Sequence, residues 1–244
     1  MGGDCLNFGC VPSKSLLAAA KAADSFRHTA RFGVTYASPT VDFAAVGRHV
    51  HDVIAGIAPT DSVERYQGLG VRVIQAPARF TGPDQVTAGD VTIRARRFVI
   101  AAGSRAMVPP IPGLDQVPFF TNESIFENEV LPAHLLIVGG GPIGLEMAQA
   151  HRRLGSAVTV VEMAQPFGRD DPELAALVLQ QLAAEGIAIH GGTAVKAVAK
   201  DPAGVRLTVE QDGQRRDIVG SHLLLAAGRQ ANVEDLGLEA AGIA

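Results

Sequence analysis

A chain of 244 residues, 47% of them apolar, has material for one or two domains with a sizeable core. Its 21 basic and 25 acidic residues leave a net charge of −4, which gives no electrostatic footprint for nucleic acid. No apolar run is long enough to span a bilayer, and the early "LLAAA" is too short for a signal peptide with no cleavage pattern after it, so a cytoplasmic location is the expectation.

The only two cysteines stand near the start, in "CLNFGCVPSK" (5–14). In a reducing cytosol such a pair points to catalysis or metal binding rather than to a structural staple. A disulfide needs its Cα atoms about 4.4–6.8 Å apart, whereas five residues of regular helix advance about 7.5 Å. The spacing therefore predicts a compact irregular turn, which Asn7 and Gly9 suit. Pro12 fits the opening of the helix proper. Cys10 lies just before it, at the end that stabilises a thiolate, and Lys14 adds a second positive charge about a turn further on. The pair fits thiols that close and open. A metal site would need more ligands, and the seven histidines offer none at ligand spacing: His49 and His51 are two apart and do not share a helix face.

Helical spacing continues through Leu16, Ala19, Ala23, Phe26 and Ala30, and a second amphipathic helix shows in Phe43, Val46, Val50, Ile54 and Ile57. Short strands are predicted at "VRVIQA", "VTI" and "FVIAAG", turned by "TGPD" and "AGD". The proline-rich "VPPIPGLDQVP" reads as an extended crossover between domains. From about His134 to Gly192 the order is strand, helix, strand, helix, strand. The strands are "LLIVGG", "AVTVVE" and "IAIHG"; the helices are "PIGLEMAQAHRRLG" and "PELAALVLQQLAAEG". This alternation predicts a parallel sheet with covering helices. A meander follows: "VKAVAK", "VRLTVEQ" and "HLLLAAGR". "FVIAAGSR" and "LLLAAGR" form a weak internal echo, as two domains of related layout or chance would produce.

Between the first strand and helix of the alternating block stands Gly139-x-Gly141-x-x-Gly144, and Glu162 ends the next strand. Gly139 permits the tight turn, Gly141 lets a pyrophosphate approach the backbone, and Gly144 lets helix and strand pack closely. The helix N-terminus attracts phosphates, and Glu162 can accept from a ribose hydroxyl. A carboxylate there repels a 2′-phosphate, and no arginine follows until Arg169, so NAD(H) is favoured over NADP(H). The bland alternative is a glycine-rich turn that only packs.

With both motifs in view, nearly the whole chain resembles the pyridine nucleotide–disulfide oxidoreductases, flavoproteins such as dihydrolipoamide dehydrogenase, glutathione reductase and mercuric reductase. "GGDCLNFGCVPSK" looks like their redox-active signature. "VIAAGSRAMVPPIPGL" and "LLLAAGRQANVEDLGLEAAGI" are similar to their two Ala-Thr-Gly segments, with Ala102 and Ala227 where Thr is usual. "TNESIF" and "GGGPIGLEMAQAHRRLGS" look closest to the mercuric-reductase-like branch.

The resemblance implies an α/β fold: a Rossmann-like NAD-binding domain inserted in an incomplete FAD-binding domain, each with a parallel sheet and an antiparallel meander. Its parts would be residues 1–107 (partial FAD domain with the thiols), 108–132 (connector), 133–230 (NAD(P) domain) and 231–244 (start of the return to the FAD domain). Cys5 matches the interchange thiol and Cys10 the thiol against the flavin. Lys14 matches the lysine near the flavin ring, and Glu146 its partner. Ala78, Gly103 and Ser104 fall where the family backbone passes the FAD or links the domains; Val195 and Gly228 fall near the nicotinamide nucleotide. The implied path runs from the nicotinamide to FAD, then to a Cys5–Cys10 disulfide, then to a disulfide or metal-ion substrate, in a homodimer.

The departures from the family pattern carry expectations too. Pro142 stands where several members carry a tyrosine lid. The glycine-rich FAD turn expected before the cysteines, and the His-Pro acid–base motif, are not in the sequence; none of its histidines precedes a proline. The chain thus reads as roughly the middle half of such an enzyme, not expected to retain FAD unaided. An NAD(H)-binding module with orphaned thiols is the second reading, and a structural or metal-binding protein using the two cysteines is the third.

Overall fold

The structure, a computed structural model, describes residues 1–26, 29, 32–35, 37 and 39–243. Ala30 of the first predicted helix and Ala244 of the return segment lie outside these. In chain order the elements are α1 (Gly3–Asn7), α2 (Cys10–Ser25), α3 (Phe43–Ile57), α4 (Val63–Gly68), β1 (Ala78–Gly82), β2 (Gln85–Ala88), β3 (Val91–Arg94), β4 (Ser104–Ala106), β5 (His134–Val138), α5 (Pro142–Leu154), β6 (Ala157–Val161), α6 (Pro172–Ala184), β7 (Ala188–His190), β8 (Ala194–Asp201), β9 (Gly204–Gln211), β10 (Gln214–Gly220), β11 (His222–Leu225) and β12 (Arg229–Ala231).

The alternating block folds as its pattern predicts. β11, β5, β6 and β7 form a parallel sheet in that order. Side chains alternate across it, because successive strand residues point to opposite faces. Leu135, Ile137, Val158, Val160 and Leu224 face a core shared with α2, α3, α5 and α6. Leu136, Val138, Val161, Leu223 and Leu225 face the other way, onto Val198, Val205, Leu207 and Val209 of the antiparallel sheet β10–β9–β8. Both faces are covered, which is why the strands read as continuous apolar runs. Leu114 and Val117 of the proline-rich connector are buried in this second core, and Val198 N donates to Pro112 O at 2.9 Å. The connector is a packed strap, not a free linker.

Local chemistry sets the helix starts. The Asp42 side chain accepts from Ala45 N to cap α3, and Asp171 accepts from Glu173 N and Leu174 N to cap α6, with Pro172 as its first residue. No side chain caps α5, which begins Gly141–Pro142.

Three expectations need correction. The predicted strands at 71–76 and 98–103 are not strands, and among the described residues 1–107 there is no parallel sheet; β1, β2 and β3 form a small antiparallel one. The reason is the backbone: no described strand lies beside these segments to complete a ladder, and Val99 is 90% exposed. Second, the thiol helix begins at Cys10, not Pro12. Pro12 is tolerated as the third residue because first-turn N–H groups have no intrahelical partner to lose. Third, the segment between the thiols is not wholly irregular: Cys5 lies in the single turn α1, and only Phe8 and Gly9 break the helix. The strands β1, β2 and β10 were not foreseen; β10, which carries Arg215, Arg216 and Asp217, pairs with β9 and takes the place in the meander expected of "HLLLAAGR", whose residues His222–Leu225 join the parallel sheet instead.

The two echo segments meet. Each ends in a three-residue strand, and these pair antiparallel as β4 and β12, with Ala106 opposite Arg229 and Ser104 opposite Ala231. Arg105 ties the crossing down with a fork onto Glu234 at 2.8 and 3.0 Å, and a bond to Asn232 Oδ1. That guanidinium holds the Glu234 carboxyl down to about 2.

Candidate functional site

The glycine turn gives each glycine a separate reason. Gly139 has φ +119°, and a Cβ there would stand 2.2 Å from Ala226 O. A Cβ on Gly144 would stand 2.1 Å from Gly139 O, so α5 rests directly on the strand end. Around Gly141, by contrast, nothing lies within 4 Å of a Cβ: the position opens onto a cleft of about 520 Å³. Glu162, at the end of β6, borders the same cleft. Its Oε2 accepts from Gly140 N at 2.6 Å and its Oε1 from Ala164 N at 2.8 Å, leaving further lone pairs for a ligand hydroxyl. Gly140 was not singled out from the sequence, yet a Cβ there would meet Glu162 Cβ at 2.8 Å; the unbroken run Gly139–Gly140–Gly141 was the available signal. Arg169 also borders this cleft, so a cation shares it with Glu162.

The thiols lie next door. Both are free and exposed. The Cys5 thiol is raised above its ordinary value, first by the neighbouring Cys10 side chain. A second cleft, of about 270 Å³, is lined by Cys10, Ser13, Lys14, Phe8 and Glu146 among others. α2 lies against α5 in the first core, and this packing carries Lys14 to Glu146: Nζ and Oε1 are 2.7 Å apart. The pair is 61% and 36% exposed, so it orients rather than stabilises. Among the described residues no three His, Cys, Asp or Glu side chains converge on a metal-sized site.

The two clefts share a wall. Asn122, Pro142, Ile143 and Arg229 border both. Arg229, the first residue of β12, donates from Nε to Ser104 Oγ at 2.8 Å and from Nη2 to Ser104 O at 2.6 Å; Nη2 also lies 3.1 Å from Asp4 Oδ1. Asn122, 7% exposed, donates from Nδ2 to Asp4 Oδ1 and to Phe8 O, each at 3.3 Å. Asp4, Asn122 and Arg229 were missed from the sequence, since each is joined to its partners only across the fold.

Of the residues singled out beforehand, the structure gathers Cys10, Lys14 and Glu146 in one cleft and Gly141, Glu162 and Gly228 in the other, with Gly139 and Gly144 supporting the turn. Ser104 joins through Arg229. Ala78, at the start of β1, Gly103 and Val195, in β8, line neither cleft.

The larger cleft thus lies over an uncapped, glycine-opened helix and adjoins the cleft at the thiols. The model of the pyridine nucleotide-disulphide oxidoreductases matches residues 1–244. The chain belongs to that family. Its relatives include a mercuric reductase of Streptomyces lividans, 37% identical over 99% of this chain and 52% of that protein. A dihydrolipoyl dehydrogenase of Thermus scotoductus is 35% identical over 100% of this chain and 53% of that protein. Among solved structures, the Cu(II) complex of the HOCl-induced flavoprotein disulfide reductase RclA from Escherichia coli superposes with a TM-score of 0.81 at 26% identity, covering 100% of this chain and 52% of that one. The chain thus spans about half the length of these relatives, each of them an oxidoreductase by name. Its mixed α/β fold, one parallel sheet with antiparallel sheets, is that of a flavoprotein disulfide reductase. No helix among the described residues is long and apolar enough to cross a membrane.

Proposed function

We propose that this chain carries the thiol pair and the pyridine-nucleotide site of an FAD-dependent disulfide or metal-ion reductase, with NADH as the reductant. The observation that carries this reading is the wall common to the two clefts, which sets the larger cleft, over the glycine turn, beside the one that Cys10 lines. In this reading residues 133–230 are a Rossmann-like nucleotide domain inserted between residues 1–107 and 231–244 of an FAD domain, joined by 108–132. The β4–β12 pairing supports it, because it ties the segment entering the insertion to the segment leaving it.

The residues present fit a dinucleotide. The space over Gly141 admits a pyrophosphate, the uncapped start of α5 offers N–H groups to it, and Glu162 has lone pairs left for a ribose hydroxyl. Gly228 and Val195 are assigned to the nicotinamide side of the site. The cleft at Cys10, with Lys14 held by Glu146, fits the edge of a flavin ring; Ala78, Gly103 and Ser104 are assigned to the rest of the FAD. Bound there, a flavin supplies a two-electron relay between nicotinamide and thiols.

The exchange with substrate belongs to the chain itself. Cys5 is exposed and lies outside the lining of the thiol cleft, free to meet a substrate. Its thiolate attacks one sulfur of a substrate disulfide and the other sulfur leaves as a thiolate. Cys10 then attacks the Cys5 sulfur, the second substrate thiolate leaves, and a Cys5–Cys10 disulfide remains. Both released thiolates take protons from solvent. The names of the relatives support two substrate classes, a mercuric ion and a dihydrolipoyl-type dithiol, for which the same exchange runs in reverse.

A second reading, an NAD(H)-binding module without flavin chemistry, is favoured by segment 98–103, which forms no strand and is exposed from Val99 to Gly103. One experiment separates them: incubate the protein with excess FAD, dialyse, then record the spectrum and NADH-dependent reduction of a model disulfide. A protein absorbing near about 450 nm with steady turnover establishes the reductase in this chain. A colourless protein that still binds NADH establishes the module. A protein that binds neither cofactor overturns both.

A further inference from the structure

The cluster at the wall, Asp4 with Arg229, Asn122 and Ser104, has so far entered only as a boundary between the clefts and, through Ser104, as part of the assigned FAD site; its contacts with the thiol segment go further. Asp4 immediately precedes Cys5, and it braces the whole segment between the thiols. Its carbonyl accepts from Phe8 N at 2.8 Å, and the chain passes so close to it that a Cβ on Gly9 would lie 3.0 Å from that oxygen. The Asp4 carboxylate is in turn gripped from outside the segment, by the Arg229 guanidinium at 3.1 Å and the Asn122 amide at 3.3 Å. Asn122 also donates to Phe8 O, so one buried side chain holds both Asp4, within α1, and Phe8, the first residue of the break that follows it. Arg229 is itself fixed to Ser104 by two bonds, across the β4–β12 crossing. A rigid anchor thus reaches from the nucleotide side of the molecule to the residue beside the first thiol.

We propose that Asp4 and Arg229 are positioning residues for the dithiol: their ion pair, seconded by Asn122, holds Cys5 over Cys10 and so sets how readily the two sulfurs join. This deepens the reductase reading and rests on it for its purpose, but the property itself belongs to the thiols alone. The segment Cys5–Gly9 has only one helical turn and a two-residue break to hold its shape. With the brace gone, the sulfurs sample wider separations and the intramolecular bond loses its advantage over mixed disulfides.

The test is the thiol–disulfide equilibrium of the intact protein in glutathione buffers, read by mass. Oxidation forms the Cys5–Cys10 bond and breaks that of glutathione disulfide, whose two sulfurs take up the two electrons and two protons as two glutathione thiols. Asp4→Asn and Arg229→Gln are each expected to lower the equilibrium constant for the internal disulfide by about 3- to 30-fold, and the double variant by no more than either alone, as coupled neighbours behave. Arg229→Lys, which keeps the charge, should recover part of the loss. Circular dichroism confirms that each variant is folded; should Arg229→Gln fail to fold, Asn122→Ala reads the same brace from its neutral side and should shift the equilibrium in the same direction. Unchanged constants in the folded variants, or losses that simply add in the double variant, would overturn the proposal. Neither flavin nor nucleotide is present, so failure here is distinct from failure of the reductase reading, which the spectrum and turnover decide.

Discussion

His151, on the buried side of α5, is fully buried; its Nδ1 lies 2.9 Å from Met147 O, and its Nε2 has no partner among the described residues. Its ring lies 5.9 Å from that of Phe43. Burial pushes it down to about 4, so it stays neutral in the folded protein while the unfolded chain takes up a proton near its ordinary value of about 6.5. The unfolded state therefore binds more protons between those limits, and stability falls as pH drops from about 6.5 to about 4, by roughly 3 kcal/mol in all. His134, His190 and His222 are lowered too, chiefly by partial burial, and act in the same direction. Urea unfolding at pH 7 and pH 4.5 is expected to show a smaller acid loss in His151→Leu than in the parent protein; equal losses would contradict the assignment. Such a residue is invisible in the sequence. "AQAHRRL" reads as polar at that position, and it is the packing of the fold around α5, with Phe43 of α3 against the ring, that buries it.

At the scale of elements, the sequence was most legible where one segment fixes its own environment. The alternation from His134 to Gly192, the amphipathic helix from Phe43 to Ile57 and the glycine turn each follow from local pattern. Strands at 71–76 and 98–103 were misread because a strand is a contract with a neighbour, and composition says nothing about whether that neighbour is present. The thiol helix was misread by two residues, because proline is tolerated throughout the first turn of a helix and not at its first residue alone. The glycine turn gives a sharp test of the element-level account. Gly144→Ala forces α5 off Gly139 O and should cost about 1–3 kcal/mol in urea unfolding. Gly141→Ala meets no atom within 4 Å and should cost less than about 1 kcal/mol, yet it fills the space over the turn and should weaken NADH binding. The reverse order of stabilities would show that the turn is not built as described.

At the scale of the whole molecule, the two motifs are more than 120 residues apart, and no spacing rule relates "CLNFGCVPSK" to "VGGGPIGLE". Resemblance paired Lys14 with Glu146; physics places them together because the apolar face of α2 docks on α5 through Leu16, Ala20 and Ala23. The wall of Asn122 and Arg229 that joins the clefts was legible to neither route. The account stands on the larger cleft being a nucleotide site whose ribose end is read by Glu162, with Arg169 on the same surface as the competing influence. Calorimetric titration of the protein and its Glu162→Ala variant with NADH and NADPH tests this most directly. The parent should bind NADH more tightly than NADPH; the variant should lose roughly 1.5–3 kcal/mol towards NADH, as expected for a hydrogen bond to a charged group, and gain affinity for NADPH. Equal affinities in the parent, unchanged in the variant, would contradict it.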